Sequence, residues 1–199
     1  KLTYDFSEPI AVTEKISPIS CTKLADKTYV LEFDKYLTGW IELAIDCPKD
    51  TTVSIYYTER KNEEGYPWIN GSIVPGGRMQ KDYFISNGEK VVYRPMFSYK
   101  GFHYVLVEGL DDLQVSDAVG CFVHSDIKSI AFDCSDDLIT WTHHAVRRTI
   151  LSNFHGLSTD TPVYEKLGWG GDAAAISPSV MYNFDARKFY RKWAKDFLY

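Results

Sequence analysis

Three carboxylates and a tryptophan lie in one short segment of the chain, with three glycines among them. Asp160, Glu165 and Asp172 are acids that can exchange protons or accept hydrogen bonds from hydroxyl groups. The indole of Trp169 offers a flat apolar face that suits the ring of a sugar. A protonated carboxyl group can act as general acid toward a glycosidic oxygen, and crowding or burial of carboxylates favours that form. The segment therefore indicates a site that binds or cleaves a sugar.

The same residues also have a purely structural interpretation. Asp160-Thr161-Pro162 is typical of a turn, and Gly170-Gly171-Asp172 is typical of a loop that ends at a helix N-cap. Glu165-Lys166 fits a solvated surface equally well. His155 lies shortly before the segment and either lines a site or has a structural role. Both interpretations stay open at the level of residue types and spacing.

Charge and hydropathy exclude several other kinds of partner. The chain has 22 Lys and Arg against 27 Asp and Glu, a net charge of −5, and no long basic run. Phosphate backbones are bound by clustered basic residues, so we expect no nucleic-acid partner. No apolar stretch approaches the roughly 18 residues that a membrane helix needs, so we expect no membrane partner. The start Lys1-Leu2-Thr3 lacks a signal-type apolar core and suggests a cut boundary, which leaves the compartment open.

The remaining reactive side chains give weaker signals. His143-His144 are adjacent on a predicted helix and face different directions, which argues against a shared metal. Glu59-Arg60 follows a predicted strand and is interpreted as a surface pair. The cysteines lack CxxC spacing and fit either buried free thiols or a disulfide or metal site. These cysteines are Cys21, Cys47, Cys121 and Cys134. We expect no metal and no cofactor.

The residues from Thr28 to about Asp126 follow the period of two that is typical of strands. The predicted strands cover residues 29–34, 39–46, 51–58, 81–86, 91–93, 102–108 and 119–124. Asn87-Gly88 is a hairpin-turn dipeptide between the fourth and fifth of these predicted strands, and residues 61–80 are predicted to form a long loop. Short strands without intervening helices predict an antiparallel β-sandwich over residues 1–126.

After Asp126 the period changes to that of a helix. Ser135-Asp136-Asp137 is a helix start signal, followed by apolar residues at helical spacing up to Ile150. Further helices are predicted from Asp172 to Tyr182 and from Ala186 to Leu198. Two or three helices rarely bury a complete core alone. Residues 127–199 therefore either pack on the sandwich or begin a larger helical domain. The sequence ends within a helical pattern, which favours the second alternative.

The segment around the three acids resembles the bacterial α-L-rhamnosidases of glycoside hydrolase family seventy-eight. Residues 152–162 read Ser-Asn-Phe-His-Gly-Leu-Ser-Thr-Asp-Thr-Pro, and residues 163–173 read Val-Tyr-Glu-Lys-Leu-Gly-Trp-Gly-Gly-Asp-Ala. Family members carry a Thr-Asp-x-Pro stretch, then a Glu followed by Arg or Lys, then Gly-Trp-x-Gly-Asp. Upstream, Leu37-Thr38-Gly39-Trp40 and Tyr93-Arg94-Pro95-Met96-Phe97 are similar to the β-sandwich domain of that family.

The resemblance implies a role for each residue of the segment. Glu165 matches the general acid of the family, which protonates the leaving glycosidic oxygen. Asp160, Trp169 and Asp172 match residues that line the rhamnose subsite, and His155 is a further candidate for lining it. The family inverts the anomeric configuration, so a second carboxylate must activate water about 6.5–9.5 Å from the acid.

The resemblance also implies a fold and an incomplete site. The catalytic domain of the family is an (α/α)6 barrel, so residues 127–199 are expected to be its first helices. The general base of the family lies beyond the length of this chain, which alone is expected to be inactive. Two departures are the shorter Val163-Tyr164 stretch before Glu165 and Gly170 in place of the usual Thr. The expected partners are a rhamnose-containing glycoside or polysaccharide and the remainder of the catalytic domain. The alternative is a non-catalytic carbohydrate-binding or interaction module that uses the β-sandwich alone.

Overall fold

A curled antiparallel sheet and a helical part make up the structure, a computed structural model that describes residues 4–68 and 80–198. The strands of the sheet are β1 (Ile10–Ile16), β2 (Ser20–Ala25), β3 (Thr28–Ile45), β4 (Thr52–Thr58), β5 (Lys81–Ile85), β6 (Val91–Tyr93), β7 (Lys100–Glu108) and β8 (Ala118–Ser125). The helical part contains β9 (Lys128–Ser129), α1 (Asp137–Ser152), α2 (Gly170–Asn183), β10 (Phe184–Asp185) and α3 (Arg187–Asp196). Residues 69–79 of the predicted loop lie outside the described residues.

One long strand, β3, pairs with four other strands of the sheet. Antiparallel pairing joins β2 to residues 28–32 of this strand, β7 to residues 28–32 and 37–39, and β8 and β6 to residues 39–45. The register with β7 shifts between Glu32 and Leu37. The prediction of two successive strands over residues 29–34 and 39–46 is therefore wrong, because an irregularity, and not a turn, joins the two halves.

A close approach of two strands depends on Gly39. Its φ is 148°, and a Cβ at this position would lie 2.1 Å from the carbonyl oxygen of Cys121 in β8. Any side chain here would push β8 away from β3, where Gly39 is paired with Phe122. The glycine therefore allows β8 to complete the sheet.

The alternation of the strands builds the core of the β part. In β4 the residues Val53, Ile55 and Tyr57 are buried, and the residues between them are less so. The ring of Phe102 in β7 packs edge-on against Phe33 and Tyr57, with ring centroids 5.5 and 5.1 Å apart. Burying apolar side chains on the inner face is what drives strands of this period to fold together.

The turn at Asn87-Gly88 does not produce a hairpin. Gly88 has φ of 88°, and the Asn87 side-chain oxygen accepts a hydrogen bond from the Glu89 N–H. However, β5 pairs with β4 and β6 pairs with β3, so the two strands beside the turn have different partners. The dipeptide correctly marks a turn, and the hairpin prediction is wrong.

The helical part begins as the sequence predicts. Asp136 is the N-cap of α1 and accepts a hydrogen bond from the Ile139 N–H at 3.0 Å. A buried cluster holds the ends of this part together, and Phe154 stacks on Phe189 with ring centroids 4.2 Å apart. The other members of the cluster are Ile127, Ile150, Val180, Phe184 and Ala186. The predicted fold class, an antiparallel β-sandwich followed by the first helices of a helical domain, is confirmed.

The described residues form two compact units. The strand unit comprises residues 12–68, 80–123 and 163–165, and the helical unit comprises residues 4–11, 124–162 and 166–198. The boundary predicted at residue 126 stays a prediction. All four cysteines are free, but only Cys47 and Cys121 are buried, so the prediction of buried free thiols is confirmed for these two. In the described part of the chain, no helix has the length and apolarity required to cross a membrane.

Candidate active site

The segment that leads to the three acids is tied to the end of α1. The Thr159 N–H donates to the Asn153 carbonyl oxygen at 2.9 Å, and the Asn153 side-chain amide donates to the Thr149 carbonyl oxygen at 3.0 Å. Gly156 has φ of 79° and donates its N–H to the Ser125 hydroxyl at 2.9 Å. The chain therefore turns back on the helix and reaches Asp160 from a fixed position.

Asp160 closes a loop that carries Glu165. Its N–H donates to the Leu167 carbonyl oxygen at 3.0 Å, and its Oδ1 accepts from the Leu167 N–H at 2.8 Å. Its Oδ2 lies 3.4 Å from the Thr161 hydroxyl, which donates to it. A carboxylate has about four acceptor positions, so these bonds leave capacity for a ligand hydroxyl. The structural interpretation of Asp160 as a turn residue is confirmed, and its contact with a sugar stays a prediction.

Glu165 lies within the loop that Asp160 closes, and its side chain is half-buried. Lys166, the next residue, has φ of 56°, a left-handed conformation that is uncommon for a residue with a side chain. Such strain is found more often at functional sites than elsewhere. Val163, Tyr164 and Glu165 group with the strand unit, although the residues on both sides of them group with the helical unit.

Trp169 and Asp172 belong to the start of α2. Trp169 is the N-cap residue, and its indole side chain is exposed, with the residue 53% accessible. Asp172 is exposed in the first turn, where its negative charge interacts favourably with the helix dipole. Helix α2 begins at Gly170, so the interpretation of Gly170-Gly171-Asp172 as a loop ending in an N-cap is wrong. Neither Gly170 nor Gly171 has a positive φ, so both fit the helical backbone.

A pocket of about 190 Å³ lies beside the two ends of this loop within the helical unit. It is lined by Leu157, Gly168, Trp193, Asp196 and Phe197. The ring of Trp193 in α3 meets the ring of Phe197, the residue that caps the C-terminal end of this helix, edge-on at 4.8 Å. Sequence reasoning missed these residues, although their i, i+4 spacing was a visible signal. The five predicted site residues do not line this pocket, and His155 is half-buried in the preceding turn.

Two tyrosines and a glutamate form a cluster in the strand unit. Burial raises the pKa of Tyr164, and the charge of Glu59 and a hydrogen bond with it raise this pKa further. Burial likewise raises the pKa of Tyr36 well above its ordinary value, and the negative charge of Glu59 adds to this shift. Glu59 is half-buried and faces both phenol groups, a role that its interpretation as a surface pair with Arg60 did not predict.

The described residues contain no group of three or more His, Cys, Asp or Glu side chains placed to hold a metal ion. The carboxylates of Asp160, Glu165 and Asp172 can transfer protons or accept hydrogen bonds, and the indole N–H of Trp169 can donate one.

The chain matches two family models, one for each part of the sequence. Residues 22–124 match the bacterial alpha-L-rhamnosidase concanavalin-like domain, and residues 128–198 match the bacterial alpha-L-rhamnosidase 6 hairpin glycosidase domain. A curated relative, an alpha-L-rhamnosidase of Formosa agariphila, is 32% identical over 90% of this chain and 19% of its own length.

Solved structures are similar over almost the whole chain. The alpha-L-rhamnosidase from Dictyoglumus thermophilum has a TM-score of 0.90 and 32% identity, over 98% of this chain and 22% of that one. The Streptomyces avermitilis alpha-L-rhamnosidase complexed with L-rhamnose shares the fold, with a TM-score of 0.86 and 23% identity over 95% of this chain and 18% of that one. The chain therefore spans about a fifth of the length of the proteins it matches.

Proposed function

This chain belongs to the bacterial α-L-rhamnosidase family, and from that membership we propose that Glu165 is the general acid of a rhamnose-releasing active site. The full protein would hydrolyse terminal α-L-rhamnose from glycosides or polysaccharides. The observation that carries this proposal is the loop closed by Asp160 and Leu167, in which Glu165 is half-buried. A general acid must hold its proton within hydrogen-bond reach of the leaving oxygen, and a closed loop limits its movement.

We assign the sugar contacts to the residues around this loop. The exposed indole of Trp169 is available to the apolar face of a pyranose, and Asp172 is exposed in the next turn. Asp160 has acceptor positions that its loop-closing bonds do not use. His155 is a further lining candidate because it lies in the turn that leads to Asp160.

The reaction that we propose is an inverting single displacement. Glu165 would protonate the glycosidic oxygen while a second carboxylate activates water on the opposite face, about 6.5–9.5 Å away. That general base would come from the remainder of the catalytic domain, outside this chain. We also propose residue 126 as the boundary between the β-sandwich and the catalytic domain, which the limits of the two family models at residues 124 and 128 support.

The test is Glu165→Gln in the full-length enzyme with substrates that differ in their leaving group. Loss of the acid is expected to lower kcat/KM about 10²–10⁴-fold for an alkyl rhamnoside, whose leaving oxygen needs a proton. The 2,4-dinitrophenolate group leaves without protonation, so the variant should hydrolyse a 2,4-dinitrophenyl rhamnoside at most of the wild-type rate. The alkaline limb of the pH–rate profile, which reports the acid, should disappear.

Two controls complete the experiment. Glu63→Gln changes an exposed carboxylate elsewhere in the chain and should leave both rates unchanged. The 199-residue chain alone should not turn over p-nitrophenyl α-L-rhamnoside, because it lacks the base. Equal rates of Glu165→Gln and wild type on the alkyl substrate would reassign the acid. A parent protein that binds rhamnose without hydrolysing any rhamnoside would favour the carbohydrate-binding alternative.

A further inference from the structure

One face of the strand unit carries a row of three tyrosines: Tyr104 in β7, Tyr56 in β4 and Tyr83 in β5. These three strands are neighbours in the sheet. Tyr104 is paired with Thr58 and Tyr83 with Ser54, two residues to either side of Tyr56 in β4, so the row runs diagonally. Alternate residues share a face, and the spacing within and between strands puts neighbouring Cα atoms about 8 Å apart and the ends of the row about 16 Å apart.

The tyrosine row lies on the face that is turned away from the core. Ile55 and Tyr57, the neighbours of Tyr56 in β4, are the residues that point into the core. Tyr83 is 60% exposed, and Tyr56 and Tyr104 are half-buried. Aromatic side chains that lie together on a surface and are bordered by polar groups mark binding sites more often than scattered ones do. The row therefore offers a continuous aromatic surface to a ligand.

Two lysines hold the rings of the row in place. The Lys81 ammonium lies 3.8 Å from the ring centroid of Tyr56 and 4.2 Å from that of Tyr83, and it donates to the Tyr56 hydroxyl. At the other end, the Lys61 ammonium lies 4.4 Å from the ring centroid of Tyr104. The quadrupole of an aromatic ring attracts a cation placed over its face. The rings are thus ordered before a ligand arrives, which lowers the entropic cost of binding.

The charges beside the row are balanced. The Lys61 ammonium lies 2.6 Å from the Glu32 carboxylate, and Glu108 shares with Tyr104 the outward face of β7. The positive charges of Lys61 and Lys81 are therefore matched by the negative charges of Glu32 and Glu108. Anionic polymers are bound by an excess of basic groups, which this face does not present. Aromatic rings beside both hydrogen-bond donors and acceptors suit an uncharged sugar, which has apolar C–H faces and hydroxyl groups.

We propose that the tyrosine row binds an uncharged glycan chain, namely the polysaccharide part of the substrate. This proposal rests on the proposed rhamnose-releasing function, and it selects a polysaccharide over a small glycoside as the substrate class. The row is longer than a single pyranose ring, so its ligand is a chain of several sugars. A polymer held at the row as well as at the active site would have a higher effective concentration there than a free glycoside.

The experiment uses the full-length enzyme with Tyr83→Ala, Tyr104→Ala and Tyr83→Phe, and a neutral rhamnan as the probe. Each alanine variant should lower the affinity for rhamnan, measured by retardation in a rhamnan-containing native gel, by about 3- to 10-fold. The two losses should multiply in the double variant, because distant sites act independently. Tyr83→Phe keeps the ring and should bind nearly as wild type does. The value of kcat/KM should fall for rhamnan and stay unchanged for p-nitrophenyl α-L-rhamnoside.

The matched control is Ile85→Ala, which removes an exposed side chain from the same face of β5 and lies beyond the end of the row. It should leave the affinity for rhamnan unchanged. If Tyr104→Ala does not fold, the more exposed Tyr83 decides.

The outcomes separate this inference from the function on which it rests. Wild-type retardation of both alanine variants overturns the glycan site, and so does binding that disappears in about 1 M salt, since screening weakens only charge-driven contacts. A Tyr83→Ala variant that changes the oligomeric state but not the affinity for rhamnan would assign the row to a protein interface instead. Hydrolysis of p-nitrophenyl α-L-rhamnoside without any retardation by rhamnan refutes only the glycan site. Retardation without hydrolysis of any rhamnoside refutes the proposed function.

Discussion

Replacing Gly101 by alanine tests how Val163, in the loop that carries Glu165, and Tyr36 pack over β7. The new methyl carbon would lie 2.1 Å from the Tyr36 hydroxyl oxygen and 2.5 Å from Val163 Cγ2. Ordinary contact is roughly 3.5 Å, so these atoms must retreat by about 1.4 and 1.0 Å (3.5 − 2.1 and 3.5 − 2.5). The backbone of β7 cannot relieve the overlap easily, because Gln80 and Thr38 hold it from both sides.

The expected cost of this overpacking is about 1–3 kcal/mol in the free energy of unfolding. Urea unfolding of the 199-residue chain, followed by tryptophan fluorescence, measures it as a lower midpoint with an unchanged slope. Gly171→Ala is the matched control, since no atom lies within 4 Å of its added Cβ in α2. Alanine is the better helix former, so this variant should gain up to about 1 kcal/mol.

A second substitution identifies the atom responsible. Tyr36→Phe removes the hydroxyl oxygen, after which the nearest Tyr36 atom to the new methyl would be 3.2 Å away. Gly101→Ala should therefore cost less in the Tyr36→Phe background than alone, and a double-mutant cycle measures the difference. Wild-type or higher stability of Gly101→Ala would refute the described contact of Tyr36 and Val163 over β7.

Two other groups lead to predictions about stability. Lys100 is 2% exposed and its ammonium lies 2.8 Å from Asp82 Oδ1, so Lys100→Met should cost about 3–5 kcal/mol by leaving that carboxylate buried without its cation. Urea unfolding checks this, and adding Asp82→Asn should restore part of the loss; a cost below that of a surface substitution would contradict it. Burial lowers the pKa of His124 below 6.5, so the unfolded chain binds the proton first as the pH falls. The stability that neutral His124 contributes is present above pH 6.5 and is lost as the pH falls through the folded pKa. In a series of unfolding free energies measured against pH, His124→Gln should show a smaller decline than wild type. Parallel curves for the variant and wild type would show that His124 is not the cause of the decline.

The period of the strands predicted most of the sheet, but not its edges or its partners. Val91–Tyr93 was predicted to the residue, because β-branched and aromatic residues there follow the turn at Asn87-Gly88. β1 and β2 were missed, since Ile10–Ile16 and Ser20–Ala25 are largely exposed and carry polar residues that weaken the alternation. The full length of β3 was not predicted, because the exposed polar residues Asp34 and Lys35 interrupt its apolar pattern. Pairing depends on contacts distant in sequence, which periodicity does not contain.

The candidate site shows the same division between local and distant information. The acid, the indole and the glycines are neighbours in sequence, so their types alone indicated the chemistry. The loop closure by Asp160 was predictable as a turn, because Asp before Thr-Pro favours one. The effect of the Glu59 charge on the pKa of Tyr164 was not predictable, because the two residues lie far apart in sequence.

The dual pairing of β3 has a consequence for how the chain folds. Residues 28–32 and 37–39 pair with β7, and residues 39–43 pair with β8. Both partner strands lie far along the sequence. Contacts of such high sequence separation form slowly, because a long stretch of chain must lose its freedom before they do. During synthesis, β3 would therefore stay an open strand edge until residue 125 has emerged, and this interval is when it is most exposed to aggregation.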